Sequence, residues 1–233
     1  MGQNLEVFEE IAASYIREDE HWGSDLDVLK VALWEAIRKG SRGVKYLDIG
    51  CGPGFHIVAI KKMFPETLVA GVDFSPRMLA EAEKEIRQSC AGPIKLMQQD
   101  VLNLTARRKY DVVSFLNNGL GNMYMRGTLP ARLRIRAIRK IRTFLKKGGN
   151  LIISVYSLKK LTDSYGRSFR ILQKSNVKGD LLVEYKTGTQ KTIEYYSHWF
   201  TKEELSELLL ENGFKIDFLE ERLSRLVVYA RLV

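Results

Sequence analysis

The stretch from Val44 to His56 constrains this chain more than any other. A short apolar strand, Val44 to Ile49, meets a turn with glycine at Gly50, Gly52 and Gly54. A helical pattern opens at once on Phe55, Ile57, Val58, Ile60 and Met63. Glycine recurs where a backbone turns sharply and a ligand must come within contact distance, because a Cβ would block the approach. The bare N–H groups that open the helix can bind a polar or anionic group. Asp48, just before the first glycine, adds a carboxylate to the same rim.

Strand and helix then alternate. Leu68 to Asp73 reads as a second strand, and Ser75-Pro76 caps a helix to about Arg87. Ile94 to Gln98 is a third strand followed by Asp100, and Tyr110 to Leu116 a fourth followed by Asn117 and Asn118. Ala131 to Leu145 reads as a long helix, and Lys147-Gly148-Gly149 turns into a fifth strand, Asn150 to Tyr156. Such alternation implies a parallel sheet with helices on both faces, and ligands sit at the carboxyl ends of its strands. Leu181 to Lys186 and Lys191 to Trp199 break the rhythm as an inserted hairpin within 157–200. Thr201 with Glu204 is a capping box for a helix that stops at Gly213, and Lys215 to Glu220 and Ser224 to Val233 close the chain as an antiparallel pair. The expected architecture is α/β: a doubly wound, Rossmann-like, seven-stranded sheet, mostly parallel with an antiparallel last strand, in one domain over 1–233.

Ahead of the glycine turn, Glu6 to Arg17 reads as a helix with Val7, Phe8, Ile11, Ala12 and Tyr15 on one face. A second helix starts at Ser24 as N-cap and ends near Gly40. Together, residues 1–40 form a lid over the turn.

The glycine turn, with Asp48 before it and Asp73 closing the second strand, resembles the first motifs of the class I S-adenosylmethionine-dependent methyltransferases. A glycine turn also serves NAD and FAD. The Gly50-x-Gly52-x-Gly54 spacing, Asp100-Val101 after the third strand and the antiparallel tail favour the methyl donor. The resemblance runs from Val44 to the C-terminus. It implies that Asp73 takes the ribose hydroxyls, that Asp100 and Val101 flank the adenine, and that Asp48 with the Gly50, Cys51, Gly52 and Gly54 backbone surrounds the methionine moiety. Phe74, Met78 and Asn117 complete the implied cofactor set. In that family an N-terminal helical aromatic often closes over the cofactor, which makes Tyr15 a candidate; the alternative is a plain packing contact. His56 departs from the small or polar residue often found there and is given no chemical role.

Methyl transfer is an in-line displacement from an activated donor, so alignment and desolvation can supply most of the rate. The acceptor then meets the donor at the end of the fourth strand. There the run Asn117-Asn118-Gly119-Leu120-Gly121-Asn122-Met123-Tyr124 is polar, glycine-rich and ends in an aromatic. It is weakly similar to the loop of methyltransferases acting on amino groups; turn chemistry explains each residue equally well. The hairpin's end supplies the other lining, with Tyr195, Ser197 and Trp199 on one face and Tyr196 and His198 on the other. His198 is the candidate general base, with Tyr196 and Asn117 as its catalytic companions. The alternative is a packed histidine, since a neutral amine needs no strong base.

The net charge of +9 is unevenly placed. From Asp111 to Asp163 no acid intervenes, while eleven of the 37 basic residues fall there; without those eleven, 26 bases face 28 acids. On a helical wheel Arg132, Arg136, Arg139, Lys140 and Lys147 oppose Leu133, Ala137, Ile138, Ile141, Phe144 and Leu145, and Arg134 falls off the pattern. A basic face over 131–147 is usually solvated. The alternative is an RNA substrate, which Glu194 to His198 supports through a loose similarity to some wobble-uridine tRNA methyltransferases. A third reading is a non-catalytic S-adenosylmethionine-binding protein, against which Asp73 argues. The leading expectation is an enzyme that methylates a small-molecule acceptor, with an amine as one candidate. No apolar run is long enough to span a bilayer, and two cysteines make neither a disulfide framework nor a zinc cluster, so a cytoplasmic setting is expected.

Overall fold

A computed structural model describes residues 4–12, 19–40, 43–105, 108–161, 169–186 and 191–233. Helices α1 (Asn4–Ile11) and α2 (Asp19–Arg38) precede strand β1 (Lys45–Ile49). Then come α3 (Phe55–Met63), β2 (Leu68–Asp73), α4 (Pro76–Ser89), β3 (Lys95–Gln98), β4 (Tyr110–Phe115), α5 (Pro130–Arg142) and β5 (Leu145–Tyr156). The remaining elements are β6 (Phe169–Lys174), β7 (Asp180–Lys186), β8 (Thr192–His198), α6 (Lys202–Leu210), β9 (Phe214–Arg222) and β10 (Arg225–Leu232).

Seven strands form one sheet in the order β3-β2-β1-β4-β5-β10-β9. All pairings are parallel except those of β10, which runs antiparallel to both β5 and β9. The strand order reverses between β1 and β4, and in open α/β sheets such a switch point leaves a crevice at the carboxyl ends. The inner strands β2, β1, β4, β5 and β10 are largely buried on both faces, so they read as continuous apolar runs rather than alternating ones. Their pleat still sorts them: Leu47, Ile49, Val113 and Ile153 pack with α5 and α6, whereas Tyr46, Val112, Ile152 and Tyr229 pack with α2 and α3.

Most helix boundaries follow their signals. Ser75 Oγ accepts from Met78 N at 3.0 Å, with Pro76 in the first turn of α4. Helix α2 begins at Asp19, so Ser24 lies inside it and does not cap it. Helix α5 stops at Arg142, earlier than its apolar pattern suggests. Leu145 already belongs to β5, because Gly148, at φ 72°, lets the strand bulge and carry on where a turn was expected.

The insert is a three-stranded antiparallel sheet, β6-β7-β8, rather than a hairpin. Its own apolar cluster gathers Leu181, Val183, Ile193, Tyr195 and Trp199, and Val7 of α1 joins them. Among the described residues no helix is long and apolar enough to cross a membrane.

Candidate active site

The glycine turn is tied to the neighbouring strand end by its backbone. Cys51 N donates to Val72 O at 3.0 Å. Asp73 accepts from Gly52 N through Oδ2 and from Ser75 N through Oδ1, both at 2.9 Å. Gly50, Gly52 and Gly54 have φ of 67°, 52° and 86°, the left-handed region that favours glycine. They do different things. A Cβ on Gly52 would come no nearer to another heavy atom than 3.9 Å, at Met78 Sδ, so this glycine leaves an open cradle. A Cβ on Gly54 would sit 3.0 Å from Ala82 Cβ, so the third glycine serves the α3–α4 contact.

In front of the turn lies a cleft of about 1080 Å³, part of it open to solvent. One wall carries Gly50, Gly52, Asp73, Phe74, Met78, Asp100 and Val101, and the facing wall carries Asn117, Gly119, Asn122, Met123, Tyr124, Met125 and Leu133. Asn4, Leu5 and Phe8 of α1 also line it. Of the residues expected at the site, eight therefore meet here. Asp48, Cys51, Gly54, Tyr196 and His198 are outside the lining, and Tyr15 lies outside the described residues.

Asp48 is buried beneath the turn, where Ser114 Oγ donates to its Oδ1 at 2.5 Å and Tyr46 OH meets the same hydroxyl at 2.8 Å. Burial pushes its carboxyl up to about 7, and the nearby Asp73 and Asp25 carboxylates add to the rise. Asp25 of α2 is raised to about 6 by burial, against the pull of Arg225, whose Nη1 lies 3.3 Å away. Burial, helped by the Arg225 charge, drops His56 to about 3, so that ring stays neutral. Burial also raises the Cys51 thiol, which makes it an inert packing group. Asp73 is raised by burial too, although its backbone hydrogen bonds oppose the rise.

The loop after β4 is fixed by its own asparagines. Asn117 and Asn118 both adopt left-handed φ, 51° and 60°. Asn118 Nδ2 donates to Ser197 Oγ at 3.2 Å, and its Oδ1 accepts from Tyr156 N at 3.1 Å, so this side chain staples the loop to β5 and β8. Asn117 Oδ1 is buried and has no hydrogen-bond partner among the described residues.

His198 is 1% exposed. Its Nδ1 lies 2.6 Å from Asp180 Oδ1 and its Nε2 2.8 Å from Glu204 Oε1. That contact takes the Glu204 side chain away from a reciprocal capping box; only Thr201 Oγ1, accepting from Glu204 N, acts as a cap. Tyr196 OH donates to Asp180 at 2.5 Å and accepts from Arg134 Nη1 at 2.8 Å. Burial pushes Asp180 up, but the His198 and Tyr196 hydrogen bonds outweigh it and hold the carboxyl below its ordinary value. The ring expected to be a base is thus clasped between two carboxylates behind the cleft wall.

Asn4 and Phe8 were not read as site residues from the sequence. They sit one turn apart on α1, a spacing that was legible, but nothing local says what their face meets. Phe8 packs edge-on against Phe74 with ring centroids 5.8 Å apart, and Glu9 binds Ser75 and Arg77 at the start of α4.

Comparison with known proteins agrees with this fold. Structural likeness is high in coverage and low in identity. The CcbJ methyltransferase of Streptomyces caelestis superposes with a TM-score of 0.70 at 16% identity, covering 97% of each chain. CalS10 with bound S-adenosylmethionine, an amino pentose methyltransferase of Micromonospora echinaspora, gives 0.65 at 18%, covering 89% of this chain and 90% of its own. Among curated relatives, a malonyl-[acyl-carrier protein] O-methyltransferase of Priestia megaterium is 23% identical over 76% of this chain and 59% of its own. The trans-aconitate 2-methyltransferase of Escherichia coli is 31% identical over 33% of this chain and 29% of its own. The chain spans about half the length of the curated malonyl-[acyl-carrier protein] relatives it matches. The family model described as a methyltransferase domain matches residues 40–213, from the approach to β1 through to the end of α6. The chain belongs to that family, the class I methyltransferases that take their methyl group from S-adenosylmethionine.

Proposed function

We propose that the chain transfers this methyl to an amine nitrogen of a small-molecule acceptor lying between the loop 117–125 and α1. The observation that carries the reading is Asn117 Oδ1, buried at the cleft without a partner. An amide oxygen only accepts, and an amine N–H is the donor it lacks. Such a bond would orient the nitrogen and leave its lone pair for the methyl carbon. The described lining holds no Lys, Arg or His, so a carboxylate acceptor would find no counter-charge there.

The residues present fit the donor. Gly52 leaves a cradle that a Cβ would begin to fill, and Asp73 keeps lone pairs for ribose hydroxyls after its two backbone bonds. Asp100 Oδ1 is engaged by Leu102 N at 2.8 Å, which fixes the carboxylate and leaves Oδ2 for the adenine edge, with Val101, Phe74 and Met78 as apolar neighbours. Gly50 and Cys51 with Asp48 beneath them serve the methionine end, and Gly54 serves it through packing. When bound, S-adenosylmethionine supplies an activated methyl on a sulfonium, displaced in line. The chain's part is to orient and to exclude water. Helix α1 acts as the lid, with Phe8 against Phe74 as its seal, whereas α2 packs on the sheet; the β6-β7-β8 sheet acts as the cap that holds the loop. His198 takes no proton from the acceptor, because both its ring nitrogens face carboxylates. The proton of the methylated amine goes to solvent.

The test is methyl-labelled S-adenosylmethionine with a small-molecule extract, split into untreated and amine-acylated portions. Label that survives alkaline hydrolysis and disappears after acylation is expected. Label released as volatile methanol would instead indicate an O-methyl ester, as the O-methyltransferase relatives suggest. Label in bulk tRNA would favour the second reading, which rests on Arg132 and Arg136 being exposed on α5 without a carboxylate partner among the described residues.

A further inference from the structure

We infer that Tyr196 is a positioning residue for the acceptor wall, aimed by a buried ion cluster that never touches the cleft. The inference rests on the reading of 117–125 as the acceptor side. The Tyr196 ring stacks on Tyr124, which lines the cleft, with centroids 5.3 Å apart and planes 29° apart. Its hydroxyl is held from two directions, by Arg134 and by Asp180. Its backbone is held from a third: the Asn4 side chain accepts from Tyr196 N at 3.0 Å and donates to Tyr196 O at 2.8 Å. Next to it, His198 N donates to Gly121 O at 2.9 Å, which binds β8 to the loop itself.

The cluster joins four elements. Buried Arg134 comes from α5, Asp180 from β7, Tyr196 and His198 from β8, and the partly exposed Glu204 from the first turn of α6. Arg134 Nη atoms lie 3.8 Å from both Asp180 and Glu204, and its guanidinium lies 5.6 Å from the Phe200 ring centroid. Buried ions of this kind add little net stability compared with apolar residues of the same size. What they supply here is direction: a phenol with its oxygen fixed on both sides cannot rotate its ring off Tyr124. An acceptor displaced by about 1 Å loses about 100-fold in rate, so a fixed wall has a chemical consequence.

The sequence supplies its own reporters. Met123 and Met125 lie on the acceptor wall and Met78 on the donor wall. In protein carrying 13C-methyl methionine, Tyr196→Phe is expected to shift the Met123 and Met125 resonances and leave Met78 in place. Calorimetry with S-adenosylhomocysteine should give an affinity within about twofold of wild type, since the donor wall is untouched. Asp180→Asn, which keeps an acceptor oxygen for the phenol, should retain the wild-type Met123 and Met125 positions, and Asp180→Leu should reproduce the Tyr196→Phe pattern. Unmoved Met123 and Met125 in folded Tyr196→Phe overturn the proposal, and so does a parallel loss of the Met78 position and of affinity, which would indicate general loosening. Failure of Tyr196→Phe to fold also overturns it, provided Asp180→Leu folds with Met123 and Met125 unmoved. Should S-adenosylhomocysteine fail to shift Met78 in the wild type, the donor-site reading fails while the Tyr196 comparison still stands.

Discussion

Asp73 Oδ2 accepts from Gly52 N at 2.9 Å, so the acid that closes β2 also builds the glycine turn it faces. Its other oxygen holds Ser75 N at the start of α4. One carboxylate therefore sets the relative position of two pieces of the donor wall. Asp73→Ala leaves two backbone donors unpaired and is expected to cost about 1–3 kcal/mol in urea unfolding as well as donor binding. Asp73→Asn keeps an acceptor oxygen and should fold well, yet bind S-adenosylmethionine at least about tenfold more weakly, because a charged acceptor of hydroxyl hydrogen bonds is lost. Wild-type affinity in Asp73→Asn would remove ribose binding from this residue.

Asp48 predicts a pH dependence. Its folded carboxyl is raised from 3.8 to about 7, so the folded protein holds this proton more tightly than the unfolded chain. The sign follows: this group costs nothing below about pH 4, its penalty grows as pH rises to about 7, and it is constant above. Asp48→Asn, which can still accept from Ser114, should be more stable than wild type by about 1–3 kcal/mol at pH 8 and no more stable at pH 4. Denaturant melts at the two pH values check this; an equal difference at both would mean that Asp48 ionises freely.

Gly54 is required by packing. Gly54→Ala combines a φ of 86° with a Cβ 3.0 Å from Ala82 Cβ, and should destabilise by about 1–3 kcal/mol. Adding Ala82→Gly removes the 3.0 Å Cβ contact but leaves the Ala82 Cα at 3.3 Å, the backbone strain and the cost of glycine inside α4, so the double variant should recover at most part of the loss in a thermal melt. Full recovery would show that φ costs nothing here.

Three arginines of α5 separate by burial. Arg132 and Arg136 are exposed, whereas Arg134 is 4% exposed. Replacing Arg132 and Arg136 with Ser should change stability by no more than about 0.5 kcal/mol and leave small-molecule methylation intact. Arg134→Ala leaves Asp180 and Glu204 without their shared cation and should cost about 3 kcal/mol. Loss of activity in the Arg132 and Arg136 variant would favour the RNA reading.

Much of this was legible in the sequence. The tight glycine turn, the strand that ends at Asp73 and the Ser75-Pro76 cap are local signals, each read from a few adjacent residues, and the structure has these three features where the sequence puts them. The departure of Arg134 from the basic pattern was also visible, and burial is what it meant. The rest depends on distant partners. Strand β6 has no strong alternation and becomes a strand only by pairing with β7, as Ile171 does with Val183. His198 reads as a candidate base because an unperturbed imidazole suits the task; Asp180 and Glu204, which occupy its nitrogens, come from other elements. Phe8 reaches the cleft because α1 packs on β8, a contact between residues far apart in the chain.

Titration calorimetry of the whole chain with S-adenosylmethionine, wild type beside Asp73→Asn, tests the central claim most directly. One saturable site in the wild type, weakened at least about tenfold in the variant, is the predicted result. A wild-type protein that gives no saturable heat, or a variant that binds equally well, would contradict it.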